Sequence, residues 1–322
     1  MSDTRLSRAI KIGEKWGTAQ GQVWEVPSLT VPGRSHRIMC GDCRETSQVD
    51  TLVDGQSVNV AFTSPPYASQ RRYDKESGFE PIRPDGYVDW FEAVQANVRR
   101  CLAPDGSWFV NIKEHAEGGE RDLYVKDLVI AHKRLWRWRF VDELVWQHQG
   151  LPGRWPNRFK NAFEPVFQFS QQKGIVFNPK SVGSPSNRCF NGAKNGRWVG
   201  PSGESDGHIG WHGCDVEEKA GIALPGNVID IPNLPTERKG AKLHGASFPI
   251  GLPKFFIKAY SHASDIIYDP FVGSGTTGVA AELEGRICFG MEMSPAYVGL
   301  TLQRLSDMGL APVLLRQEPT DE

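Results

Sequence analysis

The segment 266–278 constrains the fold more strongly than any other part of the chain, because it has the pattern of a strand, a tight loop and a helix start. Gly273 and Gly275 let the loop backbone approach a ligand closely, and the helix behind them offers free backbone N–H groups. The next predicted strand, 286–290, is followed by Glu292, a carboxylate suited to ribose hydroxyls. The pattern fits the G-x-G-x-x-G fingerprint and predicts a site for an adenosine-containing cofactor, NAD included.

Short apolar strands alternate with amphipathic helical stretches through most of the chain. This alternation predicts an α/β fold with a seven-stranded, mainly parallel sheet and helices on both faces. The predicted strands span residues 36–40, 58–62, 107–112, 140–147, 162–169, 265–268 and 286–290. The predicted helices span residues 45–53, 86–102, 123–137, 251–261, 275–283 and 296–308.

Changes in composition divide the chain into five predicted segments. Residues 1–35 lack a clear period and are predicted to form an N-terminal arm, and residues 311–322 a C-terminal tail. Regular alternation marks residues 36–149 and 246–310 as two halves of one domain. Residues 150–245 are rich in glycine, proline, asparagine and serine, which predicts an irregular insert with the last strand of the first half near its start.

The bulk composition is that of a globular protein, with 39% hydrophobic and 23% charged residues. Apolar runs are strand-sized and the N-terminus lacks a signal-peptide core, so the sequence predicts a cytoplasmic protein without a membrane span. The net charge of −1 argues against a uniformly basic nucleic-acid binder. Any contact with nucleic acid therefore needs a local basic segment.

The six cysteines are too few in 322 residues to indicate a disulfide scaffold. Cys40 and Cys43 have C-x-x-C spacing, and His208, His212 and Cys214 form a second group, so zinc is one interpretation. No second C-x-x-C accompanies the first, and Cys40 lies on a predicted strand. Incidental cysteines are favoured, and no metal site is predicted.

The loop Thr63-Ser64-Pro65-Pro66-Tyr67 directly follows the predicted strand 58–62, at the strand end where parallel sheets bind ligands. Its two prolines stiffen the backbone. Ser64 offers a hydroxyl acceptor, Pro65 a carbonyl, and Tyr67 an aromatic face on which a flat ring can stack. These groups could hold an extruded nucleobase by its amino group, although a rigid surface turn is an alternative interpretation.

Together, the two loops resemble the amino-methylating DNA methyltransferases of the permuted beta arrangement, the N4-cytosine and N6-adenine enzymes. The matching motifs are Ser64-Pro65-Pro66-Tyr67 and Asp269-Pro270-Phe271-Val272-Gly273-Ser274-Gly275-Thr276, in the family's order. Gly41-Asp42 resembles the family's early Gly-Asp. Residues 243–257 resemble the segment before the cofactor loop, except that Gly245 stands where a proline often follows the histidine.

The resemblance implies a Rossmann-like methyltransferase sheet and direct methyl transfer from S-adenosylmethionine to an exocyclic amino nitrogen of double-stranded DNA. It assigns catalysis to Ser64, Pro65, Pro66 and Tyr67. It assigns cofactor binding to Asp42, Thr63, Phe248, Asp269, Phe271, Gly273, Ser274, Gly275, Thr276 and Glu292. A dinucleotide-dependent oxidoreductase and a non-catalytic DNA-binding relative stay open as other classes of function.

Ser64 favours cytosine N4 over adenine N6 as the methylated position, because serine at this place in the motif resembles the N4-cytosine enzymes. Methylation at ring carbon 5 is disfavoured, because that chemistry needs a cysteine nucleophile, usually after proline, and the chain has no Pro-Cys pair. Adenine N6 remains the alternative target.

The predicted insert carries a local excess of basic residues, which is what phosphate contacts require. We interpret it as the target-recognition segment, with a solvated basic loop as the alternative. The predicted DNA-binding residues are Arg154, Arg158, Lys160, Arg188 and Arg197. The sequence leaves open whether a cognate restriction endonuclease exists and whether the protein is a monomer or a homodimer.

Overall fold

A computed structural model describes residues 3–68, 79–114, 116–117, 119–147, 157, 159–186, 221–231 and 248–317. The chain forms two compact units, one of residues 1–177 with 227–322, the other of residues 178–226. The larger unit contains the main sheet, including two strands, at 163–170 and 228–230, that lie within the predicted insert. The bounds of the insert and its role in target recognition stay predictions.

In the described ranges the helices are α1 (Asp3–Trp16), α2 (Thr46–Val53), α3 (Tyr87–Cys101), α4 (Tyr124–Arg134), α5 (Gly251–Tyr260), α6 (Thr276–Leu283) and α7 (Pro295–Asp307). The strands are β1 (Gln22–Pro27), β2 (Ser35–Cys40), β3 (Val58–Thr63), β4 (Leu102–Asn111), β5 (Ala116–Glu117), β6 (Glu120–Arg121), β7 (Arg139–Gln147), β8 (Phe163–Ser170), β9 (Ser184–Ser186), β10 (Gly221–Ala223), β11 (Val228–Asp230), β12 (Ile266–Asp269), β13 (Ile287–Glu292) and β14 (Val313–Gln317). None of the described helices is long and apolar enough to cross a membrane.

The main sheet has ten strands in the order β11-β7-β8-β4-β3-β12-β13-β2-β1-β14. The five strands from β4 to β2 are mutually parallel, whereas β8 pairs antiparallel with both β4 and β7. The predicted count of seven is therefore wrong, although all seven predicted strands exist. The additional strands, β1, β11 and β14, lie toward the two edges, where their pairing depends on partners distant in sequence.

The segment predicted as an N-terminal arm contains two regular elements, α1 and β1, which belong to the larger unit. α1 packs against α7 at two glycines: a Cβ on Gly299 would lie 2.6 Å from the Cα atom of Gly13. β1 pairs antiparallel with β2 and with β14, so the predicted C-terminal tail also contains a strand. Small residues make this helix crossing possible, which a search for apolar periodicity does not detect.

The core explains why the central strands form where they do. All four residues of β12 are buried, as expected for a parallel strand covered on both faces. In α3, Tyr87, Phe91, Val94 and Val98 recur at helical spacing and are buried against the sheet. Packing on both faces fixes the carboxyl ends of the parallel strands, where the loops of interest begin.

Candidate active site

The predicted site segments follow four neighbouring parallel strands, β3, β12, β13 and β2. Because the strands are parallel, their carboxyl ends meet at one edge of the sheet. Backbone hydrogen bonds join these ends directly: the Gly41 N–H donates to the Glu292 carbonyl at 3.0 Å, and the Val272 N–H donates to the Met291 carbonyl at 2.9 Å. The structure thus brings the Gly-Asp turn, the cofactor loop and Glu292 together.

The predicted catalytic loop, 63–67, is held by side chains from three other elements. The indole of Trp108 donates to the Thr63 hydroxyl at 2.9 Å. The hydroxyl of Tyr87 donates to the Pro66 carbonyl at 2.7 Å, and the Tyr67 hydroxyl donates to the Glu164 carboxylate at 2.9 Å. Thr63 is completely buried, so its side chain belongs to the core beneath the loop.

Between these fixed points lie the two acceptors that the sequence assigns to an amino group. Among the described residues, none makes a hydrogen bond to the Ser64 hydroxyl or to the Pro65 carbonyl. Ser64 is partly exposed, whereas Pro65 is buried. The loop thus presents two adjacent acceptors that have no competing donors within the described part of the chain, an arrangement suited to binding an –NH2 group.

The predicted cofactor loop, between β12 and α6, requires glycine at two positions. Gly273 and Gly275 have φ angles of 54° and 77°, in the left-handed region that favours glycine. A Cβ on Gly275 would lie 2.7 Å from the Thr301 Cγ2 atom. The Thr301 hydroxyl donates to the Gly273 carbonyl at 2.8 Å, so α7 fixes the loop from behind.

Asp269 organises this loop from inside the core. Its carboxylate accepts the Phe271 backbone N–H at 3.0 Å and the Thr277 hydroxyl at 2.5 Å. Burial raises the pKa of Asp269 to about 7, although the two hydrogen bonds oppose this rise. Asp269 therefore supports the loop between β12 and α6 from inside the core.

Arg304 is a second support, and sequence reasoning missed it. Its guanidinium, buried in α7, donates to the Ser274 carbonyl at 2.5 Å and to the Thr276 hydroxyl at 3.0 Å. Burial lowers the pKa of Arg304 to about 10. The available signal was its place three residues after Thr301, on the apolar face of a predicted helix.

Two carboxylates border the loop, at the ends of β13 and β2. Glu292 is partly buried, and burial raises its pKa to about 7 against hydrogen bonds from the N–H groups of Ser294 and Gly273. The Asp42 carboxylate accepts hydrogen bonds from the Arg44 guanidinium at 2.6 to 3.1 Å. Arg44 thereby fixes the orientation of Asp42.

Aromatic side chains line the same region. Phe271 and Trp90 are both partly buried, and their ring centroids lie 5.9 Å apart. The Arg44 guanidinium lies 5.9 Å from the centroid of Trp90, so Trp90 connects the glycine loop with the Gly-Asp turn. Phe248 packs edge-on against Phe62, just before the catalytic loop, with centroids 5.2 Å apart. Phe248 and Phe271 are among the residues predicted from the sequence, whereas Trp90 is not.

Four of the five predicted DNA-binding residues fall outside the described part of the chain. Arg154, Arg158, Arg188 and Arg197 lie outside the described residues, as do His208, His212 and Cys214. Lys160 is exposed, and the neighbouring Phe159 is 96% exposed. In the part of the chain that the structure describes, no group of three or more metal-ligating side chains is present.

The residues fit an adenosine-containing cofactor. The glycine loop gives close backbone access, Phe271 and Trp90 give apolar surface, and Glu292 gives an acceptor for hydroxyl groups. The catalytic loop with its two acceptors lies after the adjacent strand β3. This combination of fold and site is the one expected for a methyltransferase.

Comparison with known proteins gives the family. Residues 58–303 match the model of the N6 and N4 family described as DNA methylase, so the chain belongs to this family of DNA amino-methyltransferases. The protein accordingly uses S-adenosylmethionine as its cofactor. This identification removes the dinucleotide-dependent oxidoreductase as an interpretation of the glycine loop.

Individual relatives match along most of their length. The type II methyltransferase M.PvuII of Proteus hauseri is 29% identical over 275 residues, which cover 80% of each protein. The DNA adenine methyltransferase YhdJ of Escherichia coli K12 is 26% identical over 282 residues, 84% of this chain and 87% of the relative.

Solved structures confirm the fold. The cytosine-N4-specific PvuII DNA methyltransferase superimposes with a TM-score of 0.58 and 23% identity, covering 84% of this chain and 90% of that one. TTHA0409 of Thermus thermophilus, solved in complex with S-adenosyl-L-methionine, gives a TM-score of 0.53 with 19% identity and coverages of 84% and 94%. At these identities the likeness shows a shared fold.

Proposed function

We propose that this protein methylates N4 of cytosine at a specific site in double-stranded DNA. The observation that carries the proposal is the pair of adjacent acceptors, the Ser64 hydroxyl and the Pro65 carbonyl, in a loop fixed on both sides of them. Serine at the first motif position and the similarity to a cytosine-N4-specific enzyme support cytosine as the target. The similarity to YhdJ, named a DNA adenine methyltransferase, supports adenine N6 as the second candidate.

In this proposal the chain's own residues hold the base and prepare its amino nitrogen. The two N–H groups donate to Ser64 and Pro65, which favours a more tetrahedral nitrogen with an available lone pair. Tyr67 supplies the ring on which the extruded base stacks. S-adenosylmethionine, when bound, supplies the electrophilic methyl group on its sulfonium. Positioning the two reactants in one site then provides much of the rate enhancement.

The target base is tested by expressing the protein in cells that lack other DNA methylation and sequencing their DNA with a method that separates N4-methylcytosine from N6-methyladenine. We expect N4-methylcytosine within one recurring sequence. N6-methyladenine as the only product would contradict the proposed base and favour the second candidate. Absence of both marks, with correctly folded protein, would contradict catalysis and favour a non-catalytic DNA-binding relative.

Ser64→Ala is expected to lower kcat by about 10- to 100-fold, because the target nitrogen loses one of its two acceptors in the transition state. The affinity for S-adenosylmethionine is expected to stay unchanged, as measured by calorimetry. Ser57→Ala is the matched control, since Ser57 is exposed just before β3, at the opposite end of the same strand. Equal kcat values for Ser64→Ala and Ser57→Ala would show that Ser64 has no catalytic role.

We further propose that the basic segment predicted from the sequence contacts DNA, with Arg154, Arg158, Lys160, Arg188 and Arg197 among its contacts. The exposure of Lys160 and Phe159 supports this for the part of the segment that the structure describes. Lys160 lies four residues before Glu164, which contacts the predicted catalytic loop through Tyr67. Because four extended residues span at most about 14 Å, the backbone of Lys160 lies within that distance of the backbone of Glu164.

Lys160→Ala is expected to reduce the slope of log affinity for DNA against log salt concentration by about 0.9, because one phosphate contact is lost. The weakening should be similar for all DNA sequences. Fluorescence anisotropy of labelled duplex DNA across a salt series measures both effects. The control is Lys11→Ala, at an exposed position on α1. An unchanged slope for Lys160→Ala would remove Lys160 from the DNA interface.

A further inference from the structure

A buried carboxylate on strand β8 contacts the predicted catalytic loop, which follows strand β3. Glu164, at the start of β8, is only 9% exposed. Its Oε2 atom accepts the Tyr67 hydroxyl at 2.9 Å, and its Oε1 atom pairs with the Lys113 ammonium group. The residues Tyr67, Lys113 and Glu164 thus form a connected group, which we call the Tyr67 anchor.

The sheet itself brings the anchor together. β4 and β8 are antiparallel with Asn111 opposite Val166, and continuing this register places Lys113 opposite Glu164. The Asn111 side chain reinforces the pairing by donating to the Pro165 carbonyl at 3.1 Å. Tyr67 reaches the same carboxylate from the loop after β3, 97 residues away in sequence.

A buried carboxylate at this position must be compensated by partners, because removing an ion from water is unfavourable. Lys113 provides the opposite charge, but a strand-to-strand ion pair on its own would not involve the catalytic loop. The hydrogen bond from Tyr67 adds a third partner, and its acceptor is charged, which makes the bond stronger and more directional than a neutral one. The arrangement fixes the direction in which the ring of Tyr67 faces.

We propose that Glu164, held by Lys113, is a positioning residue for the methyl transfer: it orients Tyr67 so that the target base stacks in the geometry required for reaction. This inference rests on the proposed role of Tyr67 as the stacking residue. Glu164 acts through Tyr67 and does not itself contact the base or the cofactor. The ring is therefore oriented before DNA binds, and no ordering is needed during base extrusion.

Glu164→Ala is expected to lower kcat by about 10- to 100-fold, as measured by steady-state transfer of tritiated methyl groups to unmethylated plasmid DNA, because a ring that is no longer held misplaces the base. The KM for S-adenosylmethionine should stay within about twofold of the wild-type value. In a Tyr67→Phe background, which already lacks the hydroxyl, Glu164→Ala should cause no further loss. An equal loss in both backgrounds would overturn the proposal.

A conservative double variant separates positioning from a structural role of the ion pair. Lys113→Met with Glu164→Gln removes both charges but keeps an amide oxygen that can accept the Tyr67 hydroxyl. Its kcat should be within about threefold of wild type if orientation of the ring is what matters. A kcat as low as that of Glu164→Ala would mean that the ion pair itself is required and would overturn the positioning role.

Glu143→Ala is the matched control, because Glu143 is exposed on the adjacent strand β7. Urea unfolding of each variant identifies effects that come from lost stability. If the wild-type protein transfers methyl groups and Glu164→Ala equals Glu143→Ala in kcat, the anchor inference fails and the proposed function stands. If the folded wild-type protein transfers no methyl group to DNA, the proposed function fails first.

Discussion

Replacing Gly275 with alanine is expected to weaken S-adenosylmethionine binding by at least about tenfold. At a φ of 77°, a residue with a Cβ atom is disfavoured by about 1–2 kcal/mol. The added methyl group would also lie 2.7 Å from the Thr301 side chain, which cannot rotate away without losing its hydrogen bond to the Gly273 carbonyl. The loop backbone must therefore shift at the place where it is predicted to approach the cofactor.

Isothermal titration calorimetry with S-adenosylmethionine measures this loss. Gly278→Ala is the matched control within the same motif, because a Cβ there has no neighbour closer than 3.8 Å and the residue lies inside α6. Alanine in a helix interior is favoured over glycine by about 0.5–1 kcal/mol, so this variant should bind normally and be slightly more stable. Equal affinities for the two variants would contradict the role assigned to the loop at Gly275.

Glu282→Ala is expected to lower the free energy of unfolding by about 3–5 kcal/mol, because it removes the acceptor from one buried donor and three partly buried donors at once. The Glu282 carboxylate accepts hydrogen bonds from the His36 ring at 2.8 Å and from the Ser28 hydroxyl at 2.6 Å. It also accepts the backbone N–H groups of Leu29 and Thr30 at 3.0 and 3.1 Å. This one side chain connects α6 to β2 and to the turn that joins β1 with β2.

Because of the lowered pKa of Glu282, we also expect the folded protein to lose stability in acid. Burial raises the pKa of Glu282, but the hydrogen bonds from His36 and Ser28 outweigh burial and lower it from 4.5 to about 2. Because the folded-state pKa is below the unfolded value, the stabilisation is complete above pH 4.5 and is lost as pH falls toward 2. Glu282→Ala should not show this loss on acidification, because it lacks the carboxylate at every pH.

Urea unfolding monitored by circular dichroism at pH 7 and at successively lower pH measures both effects. Glu284→Ala is the control, since Glu284 follows the same helix and makes one partly exposed ion pair with Lys254 at 2.8 Å. Such a pair contributes about 0–1 kcal/mol. If Glu282→Ala had the same free energy of unfolding as Glu284→Ala at pH 7, the hydrogen bonds of the Glu282 carboxylate would make no measurable contribution to stability.

The site combines groups that are fixed by different parts of the sheet. The cofactor loop is supported from below by Asp269 and from behind by Thr301 and Arg304 of α7. The catalytic loop is supported by Trp108 and Glu164, from the strands on its other side. α7, which carries Thr301 and Arg304, also packs against α1 of the N-terminal segment.

Much of this protein could be predicted from local sequence patterns. Strand and helix periodicity gave the seven strands and six helices of the regular regions, because a buried parallel strand and an amphipathic helix each leave a short-range pattern. The two loops were found for a similar reason. A positive φ favours glycine at 273 and 275, and a stiff acceptor loop needs the prolines after Ser64. Both requirements determine the type of residue at these positions, so they can be recognised in the sequence.

The tertiary structure alone decided the rest. β1, β11 and β14 complete the sheet through pairing with distant strands, and β14 has its partner nearly 300 residues away. Arg304 and Glu164 are charged residues that look like surface positions until the fold buries them beside their partners. Local patterns record what each segment requires of its own backbone, whereas a buried hydrogen bond between distant segments is determined only when the sheet brings both groups together.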